Sequence, residues 1–528
     1  MRRTLIQAFT ILAVCAVVGP ADTARGQDRK GPGPVVISGG TIWTGADSGV
    51  IDHGVLVLRK GKISRVGEAN RPTPPAPGIE TIDATGKYVT PGLIDAWTML
   101  GIDPGGSIGA AASQNAADAL DVFATDVFSD ARSAGVTSLC VEPPAGSGVV
   151  GTAIVVRLAD LNDLRSTTTE STSLVARLGL GVRGPISRLG EIKGLHDAFE
   201  QAAAYRESWD DYREKLEEYE KKLKDGETVK LKKDEEKKEE KAAPRRRGPA
   251  PRGRGRRRGP RPRPSNFASM SDSEILAWLA DTHVPGEDPL EDEKHSEDET
   301  PTAPDQKKPE KGDGDKKDGD KKDKKEGDEL SKPERPAYDA DQEIIVRALK
   351  RELPVRFEAH RPGDIAFALK IIDEFHLDAT IIGATGAYRA AERVAEAGVP
   401  VVFGQLTGAG GFDRSHTADF DAQAPAALAA DGVSTIVIGS GRKGGNAGSQ
   451  YLTQNAAIAV GRGLDEDAAM RAITIDAAKV CGVADTLGSL EKGKLADVVI
   501  WSGHPLAPDS VVERVYVGGV EVYRRAGN

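Results

Sequence analysis

Short apolar runs alternate with amphipathic stretches over most of this 528-residue chain, and this alternation constrains the fold more than any other feature. Helical stretches such as 362–375 and 386–398 fall between most of the strand-like runs. Repeated β-then-α units predict an α/β fold with a parallel sheet or barrel. Eight such runs suit a (β/α)8 TIM barrel, although periodicity alone would not separate it from an open doubly wound sheet. The expected strands lie near 88–97, 136–142, 153–158, 173–178, 354–360, 378–383, 400–404 and 435–440.

The two ends of the chain have a different texture from the middle. Residues 34–87 and 488–525 both alternate short apolar runs with glycine and aspartate turns, which is typical of antiparallel strands. We therefore expect the N- and C-terminal segments to form one small β-sandwich beside the barrel. The predicted division is a sandwich of 28–87 with 488–528 and a barrel of 88–224 with 341–487.

A charged, low-complexity insert is expected at 225–340. It cannot bury enough apolar surface to offset the entropy of ordering, so the composition predicts mostly disorder. Its run 245–263 holds ten arginines and could bind an anionic polymer electrostatically. The alternative is a solvated spacer.

The N-terminus predicts export. Arg2 and Arg3 precede an apolar run and then small residues, which is the pattern of a signal peptide over 1–27 of either the Sec or the twin-arginine type. The mature protein is then periplasmic or extracellular, and no later segment predicts a transmembrane span. Cys140 and Cys481 lie in apolar surroundings, which favours small core residues over a disulfide.

One helix before the insert carries a regular apolar stripe. The spacing predicts either packing on the outside of the barrel or a partner-binding or coiled-coil helix. The stripe consists of Tyr205, Trp209, Tyr212, Leu216, Tyr219 and Leu223.

Four motifs together carry a family resemblance: PGLIDA at 91–96, AGVTSLCVEP at 134–143, LPVRFEAHRPGDI at 353–365, and the long segment 472–501. With them, the chain resembles the amidohydrolase superfamily, and especially its imidazolonepropionase-like branch. The resemblance implies a TIM barrel with an appended sandwich. It also implies hydrolysis of C–N bonds other than peptide bonds, with zinc or another divalent metal at the barrel mouth.

The metal positions of that family are replaced here. Trp97 and Met99 stand where the resemblance places two histidines of the first strand, which would both point into the mouth. Gly383 replaces a histidine of the sixth strand and Gly441 an aspartate after the eighth strand. Glu358 and His360 are the only ligand-type groups left, and both come from one strand. We expect no metal cofactor, and we expect the Trp97 ring to fill the space beside Gly383 and Gly441.

These substitutions predict a pseudoenzyme that binds a small molecule in the barrel mouth or supports a partner, such as an active homologue or a second copy. The first alternative is an active hydrolase of cyclic amides that uses Glu358 and His360 for acid–base catalysis without metal. The second is a surface protein that binds polyanions through 245–263. Arg442 and Lys443 in the glycine-rich segment 439–444 are candidate anion ligands, with a flexible loop as the alternative.

Overall fold

A computed structural model describes most of the chain outside the charged insert. The chain divides into two compact units, Met1–Lys215 with Glu334–Asn528, and Leu216–Pro333. The predicted signal peptide and the arginine-rich run lie outside the described residues. No helix among those residues is long and apolar enough to cross a membrane. The described ranges are 33–68, 78–102, 111–144, 146–160, 163, 168–169, 171–178, 185–224, 331–406, 420–441 and 448–526.

Strands and helices follow the order predicted by the sequence. The strands are β1 (Val35–Trp43), β2 (Val50–Arg59), β3 (Lys62–Glu68), β4 (Glu80–Asp83), β5 (Tyr88–Pro91), β6 (Leu93–Thr98), β7 (Val136–Val141), β8 (Gly148–Arg157), β9 (Ser173–Arg177), β10 (Val355–Ala359), β11 (Ala379–Gly383), β12 (Val401–Phe403), β13 (Ile436–Ile438), β14 (Val498–Trp501), β15 (Val512–Val517) and β16 (Val520–Arg524). The helices are α1 (Ala116–Ala119), α2 (Thr125–Ser133), α3 (Pro185–Lys224), α4 (Ala340–Leu349), α5 (Pro362–Glu374), α6 (Ala391–Ala397), α7 (Ala424–Ala430), α8 (Leu452–Gly461), α9 (Glu466–Ala472) and α10 (Ile475–Val480).

The chain ends share one sheet, as expected. Its eight strands run β16-β15-β14-β5-β1-β2-β3, with β4 pairing to β1, so the N- and C-terminal segments are hydrogen-bonded to each other through β5 and β14. Ile37, Leu56, Val498 and Tyr516 meet in its core. The expected strand 88–97 is divided at Gly92 between this sheet and the barrel. A Cβ at Gly92 would meet Thr137 Oγ1 at 2.1 Å, so only glycine fits at this crossing.

The second sheet forms the barrel and runs through eight consecutive strands from β6 to β13. A bridge between Thr98 and Gly441 brings its two edges together, and the Gly441 amide donates to the Trp97 carbonyl over 2.8 Å. Each of the eight expected runs contains an observed strand, which confirms the TIM-barrel prediction. Its interior is filled by a cluster that we call the barrel-interior cluster: Ile94, Ala96, Trp97, Cys140, Val150, Ala153, Val155, Val175, Ile382, Val402, Val437, Ala477, Ala478, Cys481 and Leu487.

One barrel strand departs from a uniform (β/α)8 arrangement. β8 is antiparallel to both β7 and β9, whereas the other neighbouring barrel strands are parallel. Only 142–147 connect β7 to β8, and a parallel crossover needs about a dozen residues or more. The short connection therefore forces the chain to return in the opposite direction.

The predicted long helix is present as α3, which is 40 residues long. Tyr205 of its stripe packs against the core beside the barrel, and its hydroxyl donates to Glu343 Oε1 over 2.7 Å. Arg335 lies over the Trp209 ring, 5.2 Å from its centroid. These contacts agree with outside packing for the first part of the stripe.

Candidate functional site

The first barrel strand is irregular where the candidate site begins. From Asp95 to Thr98, β6 advances three residues, while its partner advances only from Leu139 to Val141. This extra residue is a β-bulge, a device that re-aims side chains at the rims of barrels. It turns Trp97 into the barrel-interior cluster.

Trp97 fills the interior next to Gly404 and Gly441, which follow β12 and β13. A Cβ at Gly404 would meet the indole Cζ3 at 2.8 Å, and one at Gly441 would meet it at 3.6 Å. The expected packing against Gly441 is therefore observed. The expected packing of Trp97 against Gly383 is not observed, because the His360 ring occupies that space. One ring atom lies 2.6 Å from where a Cβ of residue 383 would be.

Met99 does not share this position. It packs in the cluster formed by strand and helix side chains on the outside of the barrel, with Leu100 and Phe128. The common orientation expected for the pair fails because β6 ends at Thr98, so Met99 lies beyond the strand and outside its i, i+2 alternation.

The floor of the mouth holds a buried network of paired charges. Arg177 donates from Nε to Glu358 Oε2 over 2.6 Å and from Nη2 to Glu142 Oε2 over 3.2 Å. Arg356 donates from Nε to Glu142 Oε1 over 2.9 Å. The Trp97 indole donates to Glu142 Oε2 over 3.1 Å. All four charged side chains are at most 1% exposed, so two guanidinium groups balance two carboxylates away from water.

Backbone carbonyls complete most of the network. Arg177 Nη2 also donates to the Pro143 carbonyl over 2.9 Å, and Arg356 Nη2 donates to the Ala96 carbonyl over 2.6 Å. Arg356 Nη1 is buried and has no hydrogen-bond partner in the described part of the chain. One buried donor of the network is therefore left unsatisfied among the described residues.

His360 lies at the upper edge of this network. Its Nε2 is 3.5 Å from Glu358 Oε1, and its Nδ1 is 3.4 Å from the Thr385 hydroxyl. Glu358 and His360, the two residues expected to remain, are thus brought together. The turn that precedes Thr385 has left-handed backbone at Gly383 (φ 87°) and Ala384 (φ 53°). A non-glycine residue in this region carries strain, which is concentrated at functional sites.

Asp95 connects β6, the first barrel strand, to residues that follow β13, the last barrel strand. Its carboxylate accepts from the Ser440 amide over 2.9 Å and from the Ser449 hydroxyl over 2.6 Å. Burial raises the pKa of Asp95 above its ordinary range, although these hydrogen bonds act in the opposite direction. These hydrogen bonds indicate that Asp95 stabilises the closure of the barrel.

A divalent metal does not fit the residues at this mouth. Glu358 is already bound by Arg177, and Trp97, Gly383 and Gly441 offer no ligand atoms in their side chains. Within the described ranges, the one group of three metal-type side chains lies on α3, at His196, Asp197 and Glu200. That group is partly exposed, and His196 and Asp197 already pair with Glu374 and Lys193.

Two of the expected positions cannot be placed. Arg442 and Lys443 lie outside the described residues, so anion binding at 439–444 stays a prediction. Sequence reasoning missed Glu142, Arg177 and Arg356, which form the network. The available signal was the presence of charged residues in or directly after three apolar strand runs, because such residues are rarely buried unless they are paired.

Comparison with known proteins places the fold. Residues 331–522 match the model of the amidohydrolase family. The structure is similar to the crystal structure of an amidohydrolase from Thermotoga maritima, with a TM-score of 0.62, 22% identity, and coverage of 93% of this chain and 100% of that one. Identity at this level supports a shared fold.

A curated sequence relative is similar over a short stretch. An imidazolonepropionase from Mesorhizobium japonicum is 43% identical over 56 residues, which is 10% of this chain. The match spans only 14% of that relative's own length. Its activity therefore does not transfer directly to this chain.

Proposed function

Since this chain belongs to the amidohydrolase superfamily, we propose that it is a pseudoenzyme that keeps the family's barrel as a metal-free binding site. The observation that carries the proposal is the Arg177–Glu358 ion pair inside the barrel. Beside Glu358, the Arg177 guanidinium group supplies the positive charge that a metal ion would otherwise provide.

The network also opposes metal binding electrostatically. Arg177 and Arg356 are both buried, and each is paired with a carboxylate that a metal ion would otherwise need as a ligand. A divalent ion near Glu358 would have to displace Arg177 and would leave that guanidinium buried without a partner. Such an unpaired buried charge is expensive, so the barrel favours the apo network.

The exposed edge of the network suggests the class of ligand. Glu142, Glu358, Arg177 and Arg356 balance one another, so the floor beneath the mouth carries no excess charge when His360 is neutral. The His360 side chain, 13% exposed, offers hydrogen bonding at this edge. We propose a small, uncharged polar ligand, such as a cyclic amide.

Metal content and ligand binding test this proposal together. The tag-free mature protein, expressed with zinc and manganese, should hold less than about a tenth of an equivalent of metal. Cyclic amides should raise its unfolding temperature, and His360→Ala should abolish that shift. Near-stoichiometric metal that is lost in Glu358→Gln would contradict the proposal.

One specific contact favours a second function, a metal-free hydrolase. The Thr385 hydroxyl, His360 and Glu358 form a chain of nucleophile, base and orienting carboxylate, with separations of 3.4 and 3.5 Å. Thr385 follows a strained strand-to-helix turn, the setting in which many nucleophiles are presented. Against this function, Arg177 holds Glu358 firmly.

Hydrolysis assays separate the two functions. A metal-free hydrolase would cleave cyclic amides or esters in the presence of a chelator, and both Thr385→Val and His360→Ala would abolish turnover. The pseudoenzyme would bind such compounds without consuming them. Association with an active homologue or a second copy is a further prediction, which light scattering of the mature protein would test.

A further inference from the structure

A glutamine with an unpaired acceptor follows β12 at the mouth. β10 and β12 are both parallel to β11, so Gln405, which follows β12, lies at the same end of the barrel as His360, which follows β10. Gln405 Oε1 is buried and has no hydrogen-bond partner among the described residues. We propose that Gln405 contacts the ligand in the mouth and accepts a hydrogen bond from the N–H group of a cyclic amide. This inference rests on the proposed function and specifies the chemistry of its ligand.

The Trp97 ring lies near both groups that would contact this ligand. Its centroid is 6.4 Å from that of the His360 ring. On the other side, a Cβ at Gly441 would lie 3.6 Å from the Gln405 amide nitrogen and 3.6 Å from the indole Cζ3. A small ligand above the indole can therefore reach His360 and the segment of Gln405 at the same time.

The segment that carries Gln405 is held in place by α8. Asn455 of this helix is 0% exposed, and its Oδ1 accepts from the Leu406 amide over 3.2 Å. Its Nδ2 is buried and, like Gln405 Oε1, has no hydrogen-bond partner within the described ranges. An acceptor and a donor are thus unpaired beside Leu406. Buried polar atoms are normally paired and cost free energy when they are not, so these two groups favour a polar ligand.

The acceptor distinguishes between related ligands. A cyclic amide with a free N–H group can donate to Gln405 Oε1. A lactone, or a cyclic amide with a methylated nitrogen, has no such donor and would leave Oε1 buried without a partner. Sites that hydrogen-bond a ligand group reject analogues without that group far more strongly than apolar pockets reject a change of one methylene. The mouth should therefore prefer cyclic amides that keep the N–H group.

Calorimetric titration with three matched probes tests this preference: δ-valerolactam, δ-valerolactone and N-methyl-δ-valerolactam. We expect the wild type to bind the first at least about tenfold more tightly than the other two, because only the first pairs the buried acceptor. Gln405→Leu should weaken lactam binding by about tenfold, leave lactone binding unchanged and so remove the preference. Gln423→Leu, at an exposed glutamine directly before α7, is the matched control and should keep it.

The titrations separate this inference from the proposed function. If the probes bind the wild type equally, or if the preference survives in Gln405→Leu, the inference is overturned while ligand binding in the mouth stands. If none of the probes binds, the proposed ligand class and the inference both fail.

The unfolding temperature of the ligand-free protein gives a second test. Gln405→Leu removes a buried polar atom without breaking a hydrogen bond, so it should raise the unfolding temperature by about 1–2 °C. Gln423→Leu should leave that temperature unchanged. A lower unfolding temperature in Gln405→Leu would show that the acceptor is already paired in the folded protein, by an ordered water or by another residue. That result would overturn the inference whichever probes bind.

Discussion

Arg177 and Glu358 are direct register partners on β9 and β10, and the guanidinium Nε lies 2.6 Å from the carboxylate inside the barrel. Each neutralises the other where neither can reach water. A histidine at position 358 would leave Arg177 facing a neutral or positive ring. The arginine and the glutamate therefore make sense only as a pair, because either one alone would be a buried charge without a partner.

Removing one member of this pair should be costly. We expect Arg177→Met to lower the free energy of unfolding by about 3–5 kcal/mol, because it leaves the buried Glu358 carboxylate without its counter-charge, whereas Glu142 keeps Arg356. Adding Glu358→Leu should restore part of the loss. Urea unfolding followed by circular dichroism measures both. Lys193→Met, which breaks an exposed pair with Asp197, is the control and should change stability by less than about 0.5 kcal/mol. Additive losses in the double variant would contradict the coupling.

Packing of Trp97 against Gly404 gives a second prediction. Gly404→Ala should cost about 1–3 kcal/mol, because its new Cβ would lie 2.8 Å from the indole Cζ3. Trp97→Phe should cost roughly 1–3 kcal/mol through the lost hydrogen bond to Glu142. In the double variant the alanine should be tolerated better, because the smaller ring leaves room. A double-mutant cycle by urea unfolding measures this coupling, and a coupling of zero would show that Trp97 does not press on Gly404.

Introducing histidines only at positions 97 and 99 should not create a metal site. We expect Trp97→His with Met99→His to bind no zinc tightly, because Met99 packs outside the barrel and Arg177 still occupies Glu358. Calorimetric titration of zinc into the chelator-treated variant measures this. The same pair of substitutions combined with Arg177→Met is the comparison that removes the competing charge. Stoichiometric, tight zinc in the first variant would refute the claim that the charge network excludes metal.

The burial of Asp95 predicts a pH dependence of stability. Its pKa is raised in the folded protein, so the folded state holds this proton more tightly than the unfolded chain does. Stability is therefore lost as the pH rises from the ordinary value of 3.8 through the raised folded pKa, and the loss is constant above it. Relative to Asp95→Asn, the wild type should lose stability over that window in urea unfolding series. Ser449→Ala should enlarge the loss by removing a hydrogen bond to the carboxylate. If the stability of the wild type relative to Asp95→Asn instead increased with pH, the raised pKa of Asp95 would be contradicted.

The positions of strands could be predicted because local patterns determine them. All eight barrel strands and the composite sheet of the two chain ends were expected from apolar runs and turn residues. Glu358 and His360 could be paired in advance because i, i+2 residues of one regular strand share a face. The direction of β8 could not be predicted from its own residues, since an apolar run has the same pattern in either direction. Only the short connection 142–147 indicates the reversal.

The sequence by itself determined the barrel and the composite sheet of the two chain ends, because both depend on apolar runs and motifs that are contiguous in the chain. Only the tertiary structure decided which charged side chains meet inside the barrel. Glu142 directly follows β7, whereas Arg177 and Arg356 lie on β9 and β10, and their charges balance with that of Glu358 only once the barrel closes. In the same way, the separation of Trp97 and Met99 into different clusters arises from pairing and packing between distant segments, which no local pattern records.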